Sequence, residues 1–365
     1  MILSQIASYL ETIAPLSYQE DYDNSGLIVG NPQKEVKKSL ISLDCTEEIV
    51  DEAIQNGCDL IISHHPIVFK GLKKFTGNSY VERVIIKAIK NDIAIYAIHT
   101  NLDHVLAGVN GKLCEVLGIK NASILSPKGN ILKKLVTFCP LAQAGFVRNA
   151  LFNAGAGHIS NYSECSFNVN GTGSFNAGES SKAFVGEKGT RHLEEEVRIE
   201  TIYSTEKERQ ILVALHESHP YEEVAYDLYP LSNAHNQVGA GMIGNLDNEM
   251  DEISFLNSIK AKLNAKVIRY TSLRNKKVKR VAVCGGSGSF LLQQAIKAGA
   301  DVFITADYKY HEFFDADKKI VIADVGHFES EQFTQQLLLE LINKKFPNFA
   351  LHLAQQSTNP INYLI

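Results

Sequence analysis

The sequence predicts an α/β fold made of two related α/β halves that form a layered core, with a smaller α+β domain inserted between them. The main observation is an internal repeat. Residues 53–63 read AIQNGCDLIIS, and residues 295–305, which lie 242 positions later, read AIKAGADVFIT. Each copy is typical of a helix end, a glycine and a buried strand. Each half then continues through a helix-like stretch into a second apolar strand, at 93–98 and 320–325.

The first half begins with a predicted amphipathic helix within residues 1–16. Apolar side chains recur there at helical spacing: Ile2, Leu3, Ile6, Leu10 and Ile13. Glu11 lies among them and no basic leader precedes them, unlike a secretory signal. We therefore expect a cytoplasmic protein.

The middle of the chain has a different order of elements, which predicts a separate domain. Strand and helix patterns alternate as βαββαβ between about residues 133 and 230, an order that suggests a ferredoxin-like sandwich. The Gly- and Ser-rich stretch 171–189 is predicted to be a long loop, and residues 233–244 are predicted to connect back to the second half. The predicted domains are 1–130, 131–232 and 233–365.

Composition excludes several classes of protein. The 365 residues include 41 acidic and 36 basic side chains, which give a formal charge of −5 without a long basic block, so a nucleic-acid partner is not expected. No apolar run approaches the ~20 residues that a membrane span needs. The six cysteines are scattered without a Cys-x-x-Cys pair, which favours reduced core residues over a disulfide framework or a zinc ribbon.

Potential metal ligands follow the predicted strands. His64 and His65 come directly after the first strand of the first half, and this pair alone fits either metal binding or a structural role. His99 and Asp103 follow the second strand and are four positions apart. In the second half His327 and Glu331 repeat that spacing at the equivalent strand end. Because the carboxyl ends of parallel strands converge on one crevice, we expect these side chains to lie together.

The types of ligand predict the chemistry. Imidazoles mixed with carboxylates suit zinc, manganese, iron, cobalt or nickel better than calcium, magnesium or copper(I). The number of candidate ligands exceeds what one tetrahedral ion needs, so two ions that share a bridging carboxylate are expected. Such a pair favours metal-assisted hydrolysis.

Five segments resemble the Nif-three-like family, whose members are also called GTP cyclohydrolase type-two homologues. They are DNSGLIVG (23–30), SHHP (63–66), HTNLDHVLAGVN (99–110), TADYKYH (305–311) and GHFESE (326–331). The resemblance spans about residues 1–130 and 235–365. The central segment, with HPYEEVAYDLY at 219–229, resembles the PII-like or CutA-like insert of the longer bacterial members.

The resemblance implies two divalent ions per chain, with zinc first among the candidate metals. His64 and His327 would bind one ion, His65 and Asp103 the other, and Glu331 would bridge them. His99 would lie in the second coordination sphere or contact substrate. The resemblance also implies a toroidal homohexamer with its metal sites facing an internal cavity whose openings the insert covers.

Other residues have both a functional and a structural interpretation. His311 is the candidate catalytic proton donor or acceptor, and the alternative is a histidine hydrogen-bonded in a loop. The amides of 284–289 are candidates for a phosphate contact, and the alternative is a tight strand-to-helix turn. Asp23 and Asn24 are expected to anchor a turn near the site. The insert contains a further acidic and imidazole group that we expect at a loop rim or subunit contact: His216, His219, Glu222 and Glu223.

The sequence therefore predicts a homo-oligomeric metal-dependent hydrolase that acts on a C–N or phosphate-related bond of a small molecule. GTP or another nucleotide is the substrate that the family label suggests. The alternative is a metal-binding regulatory or scaffold protein without turnover, in which the insert senses a ligand. No membrane partner is expected.

Overall fold

The computed structural model describes residues 1–364, which form a mixed α/β structure with three sheets. Two compact units are present. One combines residues 1–127 with the chain from residue 237 onward, and the other is residues 128–236. Among the described residues, no helix has both the length and the apolar character needed to cross a membrane.

Helices and strands alternate along most of the chain. The α-helices are α1 (Leu3–Ile13), α2 (Glu47–Gln55), α3 (Tyr80–Lys90), α4 (Thr100–Asp103), α5 (Val109–Leu117), α6 (Ala144–Asn153), α7 (Glu208–Ser218), α8 (Glu252–Lys262), α9 (Leu292–Lys297), α10 (His327–Glu331) and α11 (Thr334–Lys345). Short 3-10 helices lie at Leu16–Tyr18, Thr205–Lys207, Ser289–Leu291 and Tyr310–Ala316. The strands are β1 (Gly26–Val29), β2 (Lys38–Ser42), β3 (Leu60–Ser63), β4 (Ala94–Ala97), β5 (Lys120–Lys128), β6 (Leu132–Pro140), β7 (Ser166–Asn176), β8 (Arg191–Ser204), β9 (Tyr226–Leu231), β10 (His235–Asp251), β11 (Arg269–Tyr270), β12 (Lys277–Ser287), β13 (Val302–Ala306), β14 (Val321–Asp324) and β15 (Ala350–Leu353).

The first sheet has the strand order β1-β4-β3-β2-β15. Its four strands β4, β3, β2 and β15 are parallel, and β1 pairs antiparallel to β4 at one edge. Every residue of β3 and β4 is buried, as expected for the centre of a parallel sheet. The carboxyl ends of these strands lead directly into the histidine-bearing segments.

The second sheet has the order β11-β14-β13-β12-β10-β5 and also contains three consecutive parallel strands, β12, β13 and β14. Strands β13 and β14 are fully buried. α10 begins three residues after β14, so its first turn presents His327 and Glu331 at the carboxyl edge of this sheet.

Residues 128–236 contain a four-stranded sheet with the order β7-β8-β6-β9. All three of its strand pairs are antiparallel. Alternate residues of β6 and β8, such as Leu135 and Ile199, pack with Val147 of α6 and Ile211 of α7 in one core. The opposite face of the sheet carries the intervening residues.

One prediction about a loop is wrong. Strand β7 continues through Gly171 and Gly173 to Asn176, so only residues 177–190 connect it to β8. The glycines are held in the strand because β8 pairs with β7 along its full length. The predicted connection back to the second half, at 233–244, is formed largely by the long strand β10.

Candidate metal centre

The candidate centre lies at the carboxyl ends of strands from both sheets of the unit that contains the chain termini. β3 is followed directly by His64 and His65, and β4 is followed by His99 and Asp103. From the other sheet, α10 supplies His327 and Glu331, which face each other one turn apart. The structure thus brings together the side chains that the strand-end argument predicts.

Glu331 is the centre of this cluster. Its Oε2 atom lies 3.0 Å from His65 Nε2, 3.0 Å from His327 Nε2 and 3.9 Å from His64 Nε2. The side chain is 3% exposed. The two nearer nitrogens, on His65 and His327, are 3.4 Å from each other. One carboxylate therefore faces three imidazoles, which is the arrangement expected of a bridging ligand.

His64 and Asp103 each have a buried ligand atom without a hydrogen-bond partner in the described part of the chain, and these atoms test whether a metal ion fits the site. His64 Nε2 and Asp103 Oδ1 are buried, lack any hydrogen-bond partner among the described residues, and lie 3.7 Å apart. His64 Nδ1 is 2.8 Å from the Ile98 carbonyl oxygen, to which it donates, so the lone pair of Nε2 points into the cluster. Two buried ligand atoms without partners cost free energy unless a cation binds them. The residues fit a metal site.

Carboxylates orient three of the imidazoles through hydrogen bonds from Nδ1, on the side of the ring away from Nε2. In each pair a carboxylate oxygen accepts a hydrogen bond from Nδ1, so Nε2 is the ring nitrogen that remains available to a metal ion. The pairs are Asp44 with His65 at 2.7 Å, Asp307 with His327 at 2.7 Å, and Asp23 with His99 at 2.8 Å. Such outer partners fix the tautomer and rotation of metal-binding histidines and make them more basic.

The pKa values follow from burial and from these contacts. Burial lowers the pKa of His64 to about 3, so this imidazole is neutral and able to bind a metal. Burial also lowers the pKa of His65 and His327, but their hydrogen-bonded carboxylates outweigh it and raise the values to about 9 and about 11. Burial and the charge of Glu331 hold the pKa of Asp103 well above its usual range. In Glu331, hydrogen bonds from two histidines outweigh burial and lower the pKa. Protons and metal ions therefore compete for this cluster.

The structure groups the ligand atoms differently from the pairing that the family resemblance implies. His65, His327 and Glu331 form one group of mutually close ligand atoms, and His64, Asp103 and Glu331 form another. Glu331 belongs to both groups, which agrees with a bridging role. His64, His65 and His99 form a third group. The structure thus places His99 beside two of the candidate ligands.

Glycine at position 286 makes room for Glu331. Gly286 has φ +62°, and a Cβ atom there would lie 2.3 Å from Glu331 Oε1. A substitution would therefore both strain the backbone and displace the carboxylate. The amides of Gly285 and Gly286 donate to Asn110 Oδ1 and Ser330 Oγ. Two amides of the predicted phosphate loop are therefore already engaged in hydrogen bonds that hold the site together.

We expect Gly286→Ala to lose at least half of its bound metal, measured by elemental analysis of the purified protein. Gly299→Ala is the matched control, because Gly299 also has a positive φ, +75°, but nothing lies within 4 Å of its Cβ position. The control has a similar backbone strain of about 1 kcal/mol and is expected to keep its metal. Equal metal content in the two variants would contradict this role of Gly286.

The cluster opens into a cavity of about 690 Å³. His65, His99, Asp103, His327 and Glu331 are among its lining residues. The rim carries four exposed aromatic side chains: Tyr22, Phe69, Tyr80 and Phe290. Apolar rings around a polar, titratable centre are typical of a small-molecule site.

Some predicted residues lie elsewhere. The exposed ring of His311 packs against Tyr310 and Phe314, and it is not among the described residues that line the cavity. The histidines and glutamates of the insert do not converge on one point. His219 Nε2 donates to the Phe138 carbonyl, and Glu222 accepts from the Lys182 amide.

Two residues that help to position the site were not identified from the sequence. Asp44 follows β2 by two positions and accepts a hydrogen bond from His65. It was overlooked because no histidine lies four positions away, as one does at two of the other strand ends. Thr358 lies 314 residues later in the chain and donates its hydroxyl to the second oxygen of Asp44. Residues 358–361 also line the cavity. A carboxylate just after a parallel strand was the available signal for Asp44.

Comparison with known proteins gives matches along nearly the whole chain. The family model described as Duf34/NIF3 (NGG1p interacting factor 3) matches residues 1–360. A Bacillus subtilis protein named GTP cyclohydrolase 1 type 2 homolog is 39% identical over 366 aligned positions, which cover 99% of this chain and 98% of the relative. The crystal structure of a Bacillus cereus protein related to NIF3 has a TM-score of 0.84 at 42% identity and covers 99% of both chains. A Staphylococcus aureus structure has a TM-score of 0.79 at 32% identity and covers 100% of this chain and 99% of its own.

Proposed function

The chain belongs to the Duf34/NIF3 family, and from this premise we propose that it is a dinuclear divalent-metal protein that hydrolyses a small molecule. The observation that carries the proposal is the position of Glu331, whose carboxylate faces three imidazoles beside two buried ligand atoms without partners. GTP or another nucleotide is the first substrate to test, because the Bacillus subtilis relative is named GTP cyclohydrolase 1 type 2 homolog.

The proposed ligands of the two ions are His64, His65, Asp103, His327 and Glu331, with Glu331 as the bridge. This set of nitrogen and oxygen donors favours zinc, with manganese, iron, cobalt or nickel as alternatives. The chemistry that two such ions supply when bound is Lewis-acid activation of water and of a substrate oxygen.

The remaining residues of the site position ligands and substrate. The outer carboxylates keep each imidazole rotated with Nε2 toward the cluster. His99, held by Asp23 in the cavity wall, is proposed to contact substrate or support the ligands from the second coordination sphere. The aromatic rim is suited to exclude water from a bound ring compound.

The test is metal content per chain on protein purified without a chelator, together with turnover of GTP and a panel of nucleotides. About two ions per chain with turnover would support the hydrolase. Fewer than one ion per chain would contradict the dinuclear centre. The alternative function, a metal-binding regulatory or scaffold protein, would be favoured by two ions without turnover. One observation favours that alternative: residues 128–236 contain a cavity of their own.

His311 remains a prediction as the catalytic proton donor or acceptor. Because its ring packs against Tyr310 and Phe314, we expect His311→Ala to keep full metal content. A loss of turnover of about 100-fold would support general acid–base catalysis by this residue. Turnover equal to that of the neighbouring control Lys309→Ala would show that the assignment is wrong.

The proposal also includes the assembly and architecture that the family resemblance implies. These are a cytoplasmic homohexamer, two halves related by an internal repeat, and an inserted PII-like or CutA-like domain at 131–232. The order β7-β8-β6-β9 supports a ferredoxin-like insert. The consecutive parallel strands of the two large sheets, four in the first and three in the second, support the repeat. Light scattering after size exclusion tests the hexamer, because a mass other than six chains would contradict it.

A further inference from the structure

Residues 128–236 contain a cavity of about 580 Å³ that the proposed hydrolase does not use. Its floor is the face of the four-stranded sheet opposite to helices α6 and α7. Phe138 and Arg198 point to this face, because they alternate with residues that pack in the helix-covered core. Val169 points to the same face because it is the cross-strand partner of Arg198. Two loops form the walls. One contains Phe184 and the other contains Tyr221.

Besides Phe138 in the floor, three aromatic rings line this cavity side by side. The ring of Tyr221 has its centroid 6.3 Å from that of Phe175 and 6.3 Å from that of Phe184, with tilted planes in both pairs. The rings come from three separate parts of the chain: a strand, the loop that follows it, and the loop after α7. Phe184 is half exposed, at 51%. This aromatic trio, Phe175, Phe184 and Tyr221, presents ring surface to a ligand.

Carboxylates dominate the charge of the lining. Glu196, Glu222 and Glu223 oppose one cation, Arg198, so the charged side chains of the lining sum to −2. Arg198 is already engaged, because its Nε donates to Glu200 at 2.8 Å and its guanidinium lies 5.8 Å from the centre of the Phe138 ring.

The carboxylates are held in place by the protein. Glu196 Oε1 accepts a hydrogen bond of 2.7 Å from the Tyr221 hydroxyl, so one member of the trio is tied to one carboxylate. Glu222 Oε2 accepts a bond of 2.7 Å from the Lys182 amide, which ties the two loops together. A Cβ atom at Gly173 would lie 2.1 Å from Glu196 Oε2, so only glycine there lets this carboxylate lie over the floor.

From these contacts we propose that the cavity binds a small organic ammonium ion. Aromatic faces attract a cation through the ring quadrupole, and they do so best for alkylated ammonium groups that shed water easily. The carboxylates supply the opposite charge, and Gly171 in the lining leaves room for alkyl groups, because nothing lies within 4 Å of its Cβ position. An inorganic divalent ion would instead need several oxygen or nitrogen ligands in direct contact.

The proposal is tested by calorimetric titration of the full chain with choline and, separately, with its uncharged isostere 3,3-dimethylbutan-1-ol. The two probes have the same shape, so only a site that recognises charge binds them with different affinities. We expect choline to bind about tenfold more tightly than the isostere. Equal affinity would overturn the proposal in favour of a merely apolar cavity, and so would absence of choline binding up to about 10 mM.

Substitutions at Tyr221 test whether choline binds in this cavity. Tyr221→Leu is expected to weaken choline binding about tenfold, whereas Tyr221→Phe keeps the ring and with it the preference for choline over the isostere. Tyr162→Leu is the matched control, since Tyr162 is an exposed tyrosine of the same unit that does not line the cavity. Far-UV circular dichroism checks that each variant folds. Unchanged choline affinity in folded Tyr221→Leu would overturn the assignment of this cavity.

Discussion

Replacing Glu331 with glutamine is expected to remove most of the bound metal, from about two ions per chain to well under one, and to abolish turnover. The physical reason is the number of contacts that this side chain makes. Its Oε2 atom lies within 3.9 Å of three imidazole nitrogens. Glutamine keeps the shape but loses the negative charge and one acceptor, so it is a poor bridge between two cations.

Glu329→Gln is the control for this experiment. Glu329 lies in the same short helix, is also buried, and accepts from the Asn359 amide at 3.3 Å instead of from a histidine. Elemental analysis of both variants, with thermal melts to confirm folding, separates loss of a ligand from loss of structure. Retention of two ions in Glu331→Gln would show that this residue does not bridge.

Removing the metal from the wild-type protein is expected to lower its melting temperature by roughly 10 °C or more. A ligand that binds only the folded state at 1,000 times its Kd stabilises it by about 4 kcal/mol. For a domain of this size each kcal/mol corresponds to about 2–4 °C. Removal also leaves His64 Nε2 and Asp103 Oδ1 buried without partners.

The measurement is a pair of thermal melts, before chelation and after chelation followed by dialysis. Added metal should restore the original melting temperature in the wild type and should leave Glu331→Gln unchanged. If chelated and untreated wild-type protein melt at the same temperature, no metal contributes to the folded state. That outcome would count against the whole ligand set, whichever ion was tested.

The sequence was sufficient to predict the mixed α/β class and the proximity of the candidate ligands. Buried parallel strands carry long apolar runs and their carboxyl ends meet at one edge, so His64 and Asp103 could be placed together without coordinates. The repeated pattern of segments then predicted that Glu331, at the equivalent strand end of the second half, lies near them. The i,i+4 spacing also predicted the contact between His327 and Glu331, because both lie in one helical turn.

The sequence was not sufficient where a contact depends on a partner far along the chain. Thr358 reaches Asp44 across 314 positions, and no periodicity connects them. Gly171 and Gly173 weaken a strand signal, yet β8 pairs with that strand along its whole length. The detailed grouping of His65 with His327 depends on side-chain rotation, which spacing along strands does not determine.

The wide separation of the ligands along the chain has a consequence for biosynthesis. Glu331 follows His65 by 266 positions, and β15, which completes the first sheet beside β2, follows later still. At ordinary rates of translation the ribosome needs roughly 10–50 seconds to make that stretch. During this time the nascent first sheet has an open edge at β2, and the early histidines have not yet met Glu331. Assembly of the complete centre must therefore wait until the last part of the chain has been made, and the early sheet depends on protection from aggregation until then.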